Sequence, residues 1–316
     1  MKVKPGLLVL ILAAAGLLGL GFGACKQAEK PSNGGTALTG TIQVKGSDTL
    51  LMLSQRWAED FMAENKGAVV QVSGGGSGAG ITALIDGTTD VCNSSRPMKD
   101  GEKTKAAEKN VTPVEIKVAL DGIAIVVNPA NPVNELTLAQ LKEIYMGTAK
   151  DWNAVGGSAG KIMCYGRQNS SGTYAYFQEK VLGKSKGPDG KEVDNAYRPD
   201  IQEMTGTSLL CDTVAKDKMA IAYAGVGYAN ERKDVKIIAL KKDDKAAAVK
   251  PDNAAVVDGS YPLSRYLFNY TNGKPTGVTR SFILYCLSPE AQKVINELEY
   301  IPLPEDIRAA EEAKVK

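Results

Sequence analysis

The 316-residue sequence predicts an α/β protein built on a mostly parallel sheet, and three observations carry that expectation. Short apolar segments alternate with segments of helical periodicity. The turns between them are tight and rich in glycine. One segment, residues 121–128 (DGIAIVVN), is almost continuously apolar, as a strand covered on both faces by helices must be. Strand, helix and strand in close succession imply right-handed crossovers, and ligands of such sheets collect at the carboxyl ends of the strands. The length suffices for two lobes.

Residues 41–45 (TIQVK) alternate as a strand, and Gly46-Ser47-Asp48-Thr49 opens a helix in which Leu50, Leu53, Trp57 and Phe61 recur at helical spacing up to Gly67. Residues 68–72 form a second strand, 74–80 a glycine-rich turn, 81–85 a short helix and 90–93 a third strand ending at Ser94-Ser95-Arg96. After strand 121–128 come a helix over 136–146, a strand over 161–165, a turn over 166–173 and a helix over 174–182. Residues 183–207 and 252–260 read as loops. Strands are expected at 219–223, 236–240 and 261–270, and a last helix at 289–298 before Pro302 and Pro304. No internal repeat is visible.

Composition removes several functions. Histidine is absent, so Ser-His and Cys-His nucleophiles and His-ligated metals are excluded, and no other metal or cofactor motif takes their place. Setting Lys2 and Lys4 aside from the 38 basic residues leaves 36 against 36 acidic ones, a neutral body that argues against nucleic-acid binding. Ser158-x-x-Lys161 has the spacing of a Ser-Lys nucleophile but lies in a Gly-flanked loop with no Lys-Thr-Gly partner.

The N-terminus reads as an export signal: Lys2 and Lys4, an apolar run over 7–20, then Phe22-Gly23-Ala24-Cys25. The small residues before Cys25 resemble a bacterial lipoprotein cleavage box. The expectation is a signal over 1–24 and a lipid-bearing Cys25 heading a flexible tether over 25–40, with the body outside the cytoplasmic membrane. Cys92, Cys164, Cys211 and Cys286 then remain, enough for two disulfides or four buried thiols.

Four turns share one character: GSDT (46–49), SGGGSGAG (73–80), SSR (94–96) and GRQNSSGT (166–173). Glycine admits close backbone approach, helix N-termini leave N–H groups unpaired, and hydroxyls add donors. Arg96 and Arg167 supply planar, permanently charged forks suited to a tetrahedral oxyanion. Hydrogen bonds to a charged group contribute roughly 1.5–3 kcal/mol each, so four or five suffice for capture without chemistry.

At these turns the sequence resembles the phosphate-binding proteins of bacterial phosphate ABC importers, the PstS-type family. GSDTLL, GGGSGAGI, NSSRPM, GRQNSSGTYAYF, AIAYAGVGYA and YPLSRYLF match in order, as does residues 136–157, and the likeness spans roughly 41–305. The resemblance implies a two-lobed, type II-like periplasmic-binding-protein fold with two strand crossovers, one lobe over 41–121 plus 263–316 and the other over 122–262. It implies that Thr49, the Leu50 amide, Ser77, Ser95, Arg167, Ser171, Gly172 and Thr173 hold phosphate oxygens, with Arg96 added for its charge. Some family members carry Asp where Ser95 stands, to accept the proton of monohydrogen phosphate; here Asp48 is the nearest candidate for that role. An Asp that tethers the arginine often sits where Asn169 stands, so Arg167 is expected to be less restrained. The expected partners are inorganic phosphate, the permease subunits of an ABC importer, and the membrane through Cys25, with the body a monomer. A receptor for sulfate or molybdate and a phosphatase-like enzyme are the alternatives.

Overall fold

A computed structural model describes residues 38–298 and 300–316. The strands are β1 (Gly40–Gly46), β2 (Ala68–Ser73), β3 (Val91–Ser94), β4 (Pro113–Val127), β5 (Glu135–Thr137), β6 (Met163–Arg167), β7 (Lys184–Lys186), β8 (Glu192–Asp194), β9 (Gln202–Met204), β10 (Ala220–Gly225), β11 (Lys236–Lys241) and β12 (Ser264–Asn272). The helices are α1 (Leu51–Glu64), α2 (Ser77–Ile85), α3 (Asp100–Glu108), α4 (Leu138–Met146), α5 (Gly172–Phe177), α6 (Thr207–Lys216), α7 (Val226–Asn230), α8 (Asn253–Val257), α9 (Gly277–Cys286), α10 (Pro289–Glu297) and α11 (Glu305–Val315).

Two half-sheets share one strand order. In the first it is β2-β1-β3-β12-β4, and in the second β9-β6-β10-β4-β11. Each begins with three parallel strands, followed by an inserted strand that runs antiparallel: β12 against β3, and β4 against β10. The inserted strands are the crossovers. Pro113–Gly122 of β4 pairs with β12 in the first half, and Ile123–Val127 continues into the second half beside β10. The chain returns through residues 261–263 into β12. The repeat invisible in the sequence is thus a repeat of topology.

The core explains the expected elements. Leu50, Leu53, Trp57 and Phe61 are buried along α1, and the Trp57 indole N–H donates to Ala291 O of α10 at 3.1 Å. Ile123–Val127 are all fully buried, as a covered central strand requires.

Several expectations need correction. The strand expected at 121–128 begins eight residues earlier, because its first half (PVEIKVAL) alternates and hides behind the apolar run. Helix α2 begins at Ser77, not residue 81; Gly78, Ala79 and Gly80 carry too little side chain to signal helix. Residues 183–207 hold β7, β8 and β9, and 252–260 hold α8. Helices α3, α6, α7, α9 and α11 have no counterpart among the expected elements. The open choice at the cysteines closes on thiols: Cys92, Cys164, Cys211 and Cys286 are free and buried. The export signal, Cys25 and most of the tether lie outside the described residues. Among the described residues no helix is long and apolar enough to cross a membrane, and no cluster of acidic residues and cysteines could hold a metal ion.

Burial raises the thiol pKa throughout, for Cys211 to about 11. In the folded protein at pH 8, alkylation followed by peptide mapping should leave all four body cysteines unmodified, and in urea it should modify all four. Rapid labelling of Cys92 or Cys286 in the folded state would contradict their burial.

Candidate functional site

The four turns meet at the join between the half-sheets. From the first half come residues 46–50 after β1, residues 74–77 leading into α2, and residues 94–96 after β3; from the second comes the turn between β6 and α5. They are tied directly. Gly76 N–H donates to Gly46 O at 2.9 Å, Ser47 N–H to Asn93 O at 2.9 Å, and Gly78 N–H to Ser170 O across the halves at 3.0 Å. Gly76 has φ +90°, and a Cβ there would stand 2.5 Å from Ser170 O, so glycine is required on both counts.

Thr49, Ser77, Ser95 and Thr173 gather as a buried nest of hydroxyls. Thr49 and Thr173 Oγ1 atoms are 3.1 Å apart across the halves. Ser77 Oγ accepts from Ser95 N–H at 3.0 Å and lies 3.3 Å from Ser95 Oγ. Gly172 closes the nest: a Cβ there would overlap Ser77 Oγ and lie 2.5 Å from Ser95 Oγ. Ser171 caps α5, its oxygen accepting from Thr173 and Tyr174 N–H at 3.1 and 3.4 Å. The Leu50 amide, expected to face an anion, donates to Ser47 O at 3.1 Å, while its side chain belongs to the core.

Arg167 ends β6 and is buried. It is held firmly in spite of Asn169: Nη1 donates to Thr207 Oγ1 at 2.8 Å, and Nη2 to Asp48 Oδ2 at 2.6 Å and Thr205 O at 3.0 Å. This corrects the expectation of a loosely restrained arginine. Its Nε is buried without a protein partner. Asp48 is likewise committed, with Oδ1 accepting from Gly75 N–H at 2.9 Å. Arg96 turns to Glu102, pairing bidentately at 2.8 and 2.7 Å, with a further bond to Pro97 O. Burial works against the Glu102 charge, but hydrogen bonds from Arg96 and the Lys99 N–H prevail and hold its carboxyl below the usual range.

The residue the sequence reading missed is Arg265 of β12. It is buried beside the nest, pairing with Asp121 of β4 through Nε at 3.0 Å and Nη2 at 2.7 Å. Nη1 reaches Ser95 O at 3.1 Å, and Nη2 reaches Thr173 Oγ1 at 3.1 Å and Thr49 Oγ1 at 3.3 Å. Asp121 is wholly buried; burial pushes its carboxyl pKa up, against the pull of Arg265 and the Val226 and Gly122 N–H groups. A charge inside each of two apolar strands (LSRYLF and VALDGIAIVV) was the available signal, since a buried charge requires a partner. Arg265 also lines a groove of about 560 Å³, together with Arg96, Lys99, Tyr176, Lys184 and Tyr266.

Hydroxyls and guanidinium groups can donate to a small oxyanion, and the carboxylates serve the arginines. No histidine exists to activate a serine. Paired half-sheets joined by two crossing strands are the fold that the family resemblance implied for a two-lobed solute-binding protein, and a family model described as a PBP superfamily domain matches residues 31–297. Phosphate-binding protein PstS of Pseudomonas aeruginosa is 31% identical over 322 residues, covering 96% of each chain. That of Staphylococcus epidermidis is 34% identical over 307 residues, covering 96% of this chain and 85% of its own. A Clostridium perfringens structure with bound phosphate aligns at a TM-score of 0.72 and 25% identity, over 84% of this chain and 100% of that one. An ABC-type phosphate transport receptor from Vibrio cholerae aligns at 0.66 and 31%, over 83% and 100%. The chain belongs to the PstS-type family of phosphate-binding proteins.

Truncating either partner of the Arg265–Asp121 pair strands a buried charge. Arg265→Ala should therefore lower unfolding free energy by about 3–5 kcal/mol in urea titration; a loss under about 1 kcal/mol would show the pair to be dispensable.

Proposed function

We propose that this protein captures inorganic phosphate outside the cytoplasmic membrane and delivers it to the permease subunits of an ABC importer, making and breaking no covalent bond. The observation that carries the reading is the convergence of Thr49, Ser77, Ser95, Gly172 and Thr173 on one buried nest where the half-sheets join, with Arg167 buried and tied to Asp48, the neighbour of Thr49 in the chain. Arg265 enlarges that set. Phosphate oxygens accept from the four hydroxyls and from the unpartnered Nε of Arg167, with Ser171 orienting the first turn of α5.

The moving bodies are residues 41–121 plus 263–316 and residues 122–262. They join where Ile123 N–H donates to Leu263 O at 2.9 Å, and within the second body the Tyr261 hydroxyl braces Ile123 O at 2.6 Å, which makes these two crossing points the hinge. Closure exchanges the anion's water for donors already in place, so little reorganisation remains on binding. The body is a monomer held to the membrane by a lipid on Cys25, and Cys25→Ser should move it from the membrane fraction to the soluble one.

Neither nearby carboxylate is free to accept the phosphate's proton, because Asp48 and Asp121 serve guanidinium groups. Hydroxyls, which both donate and accept, take that part. Calorimetry at neutral pH should give a phosphate Kd of about 1 μM or tighter and weaker binding of sulfate; tighter sulfate binding would reject the assignment. Arg167→Ala should weaken phosphate binding at least about thirtyfold, as expected for a desolvated charged donor. Turnover of a phosphate ester, abolished by Ser171→Ala, would instead establish an enzyme.

A further inference from the structure

We infer that Asp48 is the latch that joins the closed halves and positions Arg167, and that it makes no contact with the anion. The inference rests on the phosphate-binding reading above and adds a role for a residue that the sequence suggested as a proton acceptor. Among the described residues Asp48–Arg167 is the one ion pair that crosses between the halves: Asp48 lies in the turn after β1, Arg167 at the end of β6. The other ion pairs, Arg265–Asp121 and Arg96–Glu102 included, lie within one half.

Asp48 is held through both carboxylate oxygens and its backbone oxygen. Oδ2 accepts from Arg167 Nη2 at 2.6 Å, Oδ1 from Gly75 N–H at 2.9 Å, and the backbone oxygen from the Tyr228 hydroxyl of α7 at 3.3 Å. Two of these three bonds come from the second half. The close approach to the turn before α2 is built in, since a Cβ at Gly74 would stand 2.5 Å from Oδ1. Asp48 thereby fixes the turn carrying Ser77 and, through Nη2, the guanidinium plane of Arg167, whose Nε is left to donate. The Arg167 side chain is 2% exposed and that of Asp48 19%, so the pair is shielded enough to matter yet can be parted by opening. Opening separates these partners while the Arg265–Asp121 pair stays intact, so this bond distinguishes the closed protein from the open one.

The electrostatic sign separates the latch from its rivals. A carboxylate that merely stood near an anion would repel it, and Asp48→Asn would tighten binding. A carboxylate that accepted the phosphate's proton would exclude sulfate, and Asp48→Asn would raise sulfate affinity relative to phosphate. A latch predicts that both anions weaken by the same factor, through dissociation.

The experiment is stopped-flow and calorimetric binding of phosphate and sulfate to the full chain and to Asp48→Asn and Asp48→Glu. For Asp48→Asn we expect phosphate dissociation to rise at least about tenfold while association changes less than about threefold, with the sulfate-to-phosphate ratio unchanged. Asp48→Glu should recover part of the loss. Tighter binding, an altered ratio, or unchanged dissociation would each overturn the latch. If the wild-type chain binds no phosphate, the reading of the preceding subsection fails instead. Small-angle scattering at saturating phosphate tests the latch alone: Asp48→Asn should keep a larger radius of gyration than the wild-type chain, and equal radii would refute it.

Discussion

The wholly buried pair of Arg265 and Asp121 is the constraint on which the rest of this structure depends. It ties β12 to β4, the two strands that cross between the half-sheets, beside the point where β4 passes from one to the other. The cost of taking both charges out of water is large, and the geometry offsets it: Asp121 accepts from two guanidinium nitrogens and from the Val226 N–H, while the remaining Arg265 hydrogens go to Ser95 O and to the hydroxyls of Thr49 and Thr173. One side chain thus fixes the crossing strands and three of the donor-bearing turns together.

Charge balance follows from the same arrangement. Each arginine near the nest has its own carboxylate: Arg265 has Asp121, Arg167 has Asp48 and Arg96 has Glu102. The proposed anion would meet oriented dipoles and partly committed guanidinium groups, not a pool of free positive charge. Such a site reads geometry and hydrogen-bonding capacity, which distinguish one small oxyanion from another better than charge does.

Much of this was legible in the sequence, for a physical reason. Glycine, serine and arginine placed after short apolar segments can be read locally, and strand ends in a parallel sheet converge by topology, so the four turns come together as their places in the sequence implied, while Thr49, Ser77, Ser95 and Thr173 were singled out within them by the family resemblance. Long-range pairing was not legible. Arg265 and Asp121 stand 144 residues apart, and each shows in the sequence only as a charge inside an apolar strand; Asp48 and Arg167 stand 119 apart, in turns whose composition says nothing of their pairing. Arg96 was assigned by charge alone, and only the fold reveals Glu102 as its partner. The first half of β4 and the start of α2 were misread because alternation and small residues carry weak signals beside a strong apolar run.

The central claim is that one tetrahedral anion sits among these hydroxyls and guanidinium groups, and anomalous diffraction at the arsenic edge from crystals grown with arsenate tests it most directly. The account predicts a single arsenic peak within hydrogen-bonding reach of Thr49, Ser77, Ser95, Thr173 and Arg167. A peak in the neighbouring groove beside Tyr176 and Lys184, with the nest unoccupied, would contradict it.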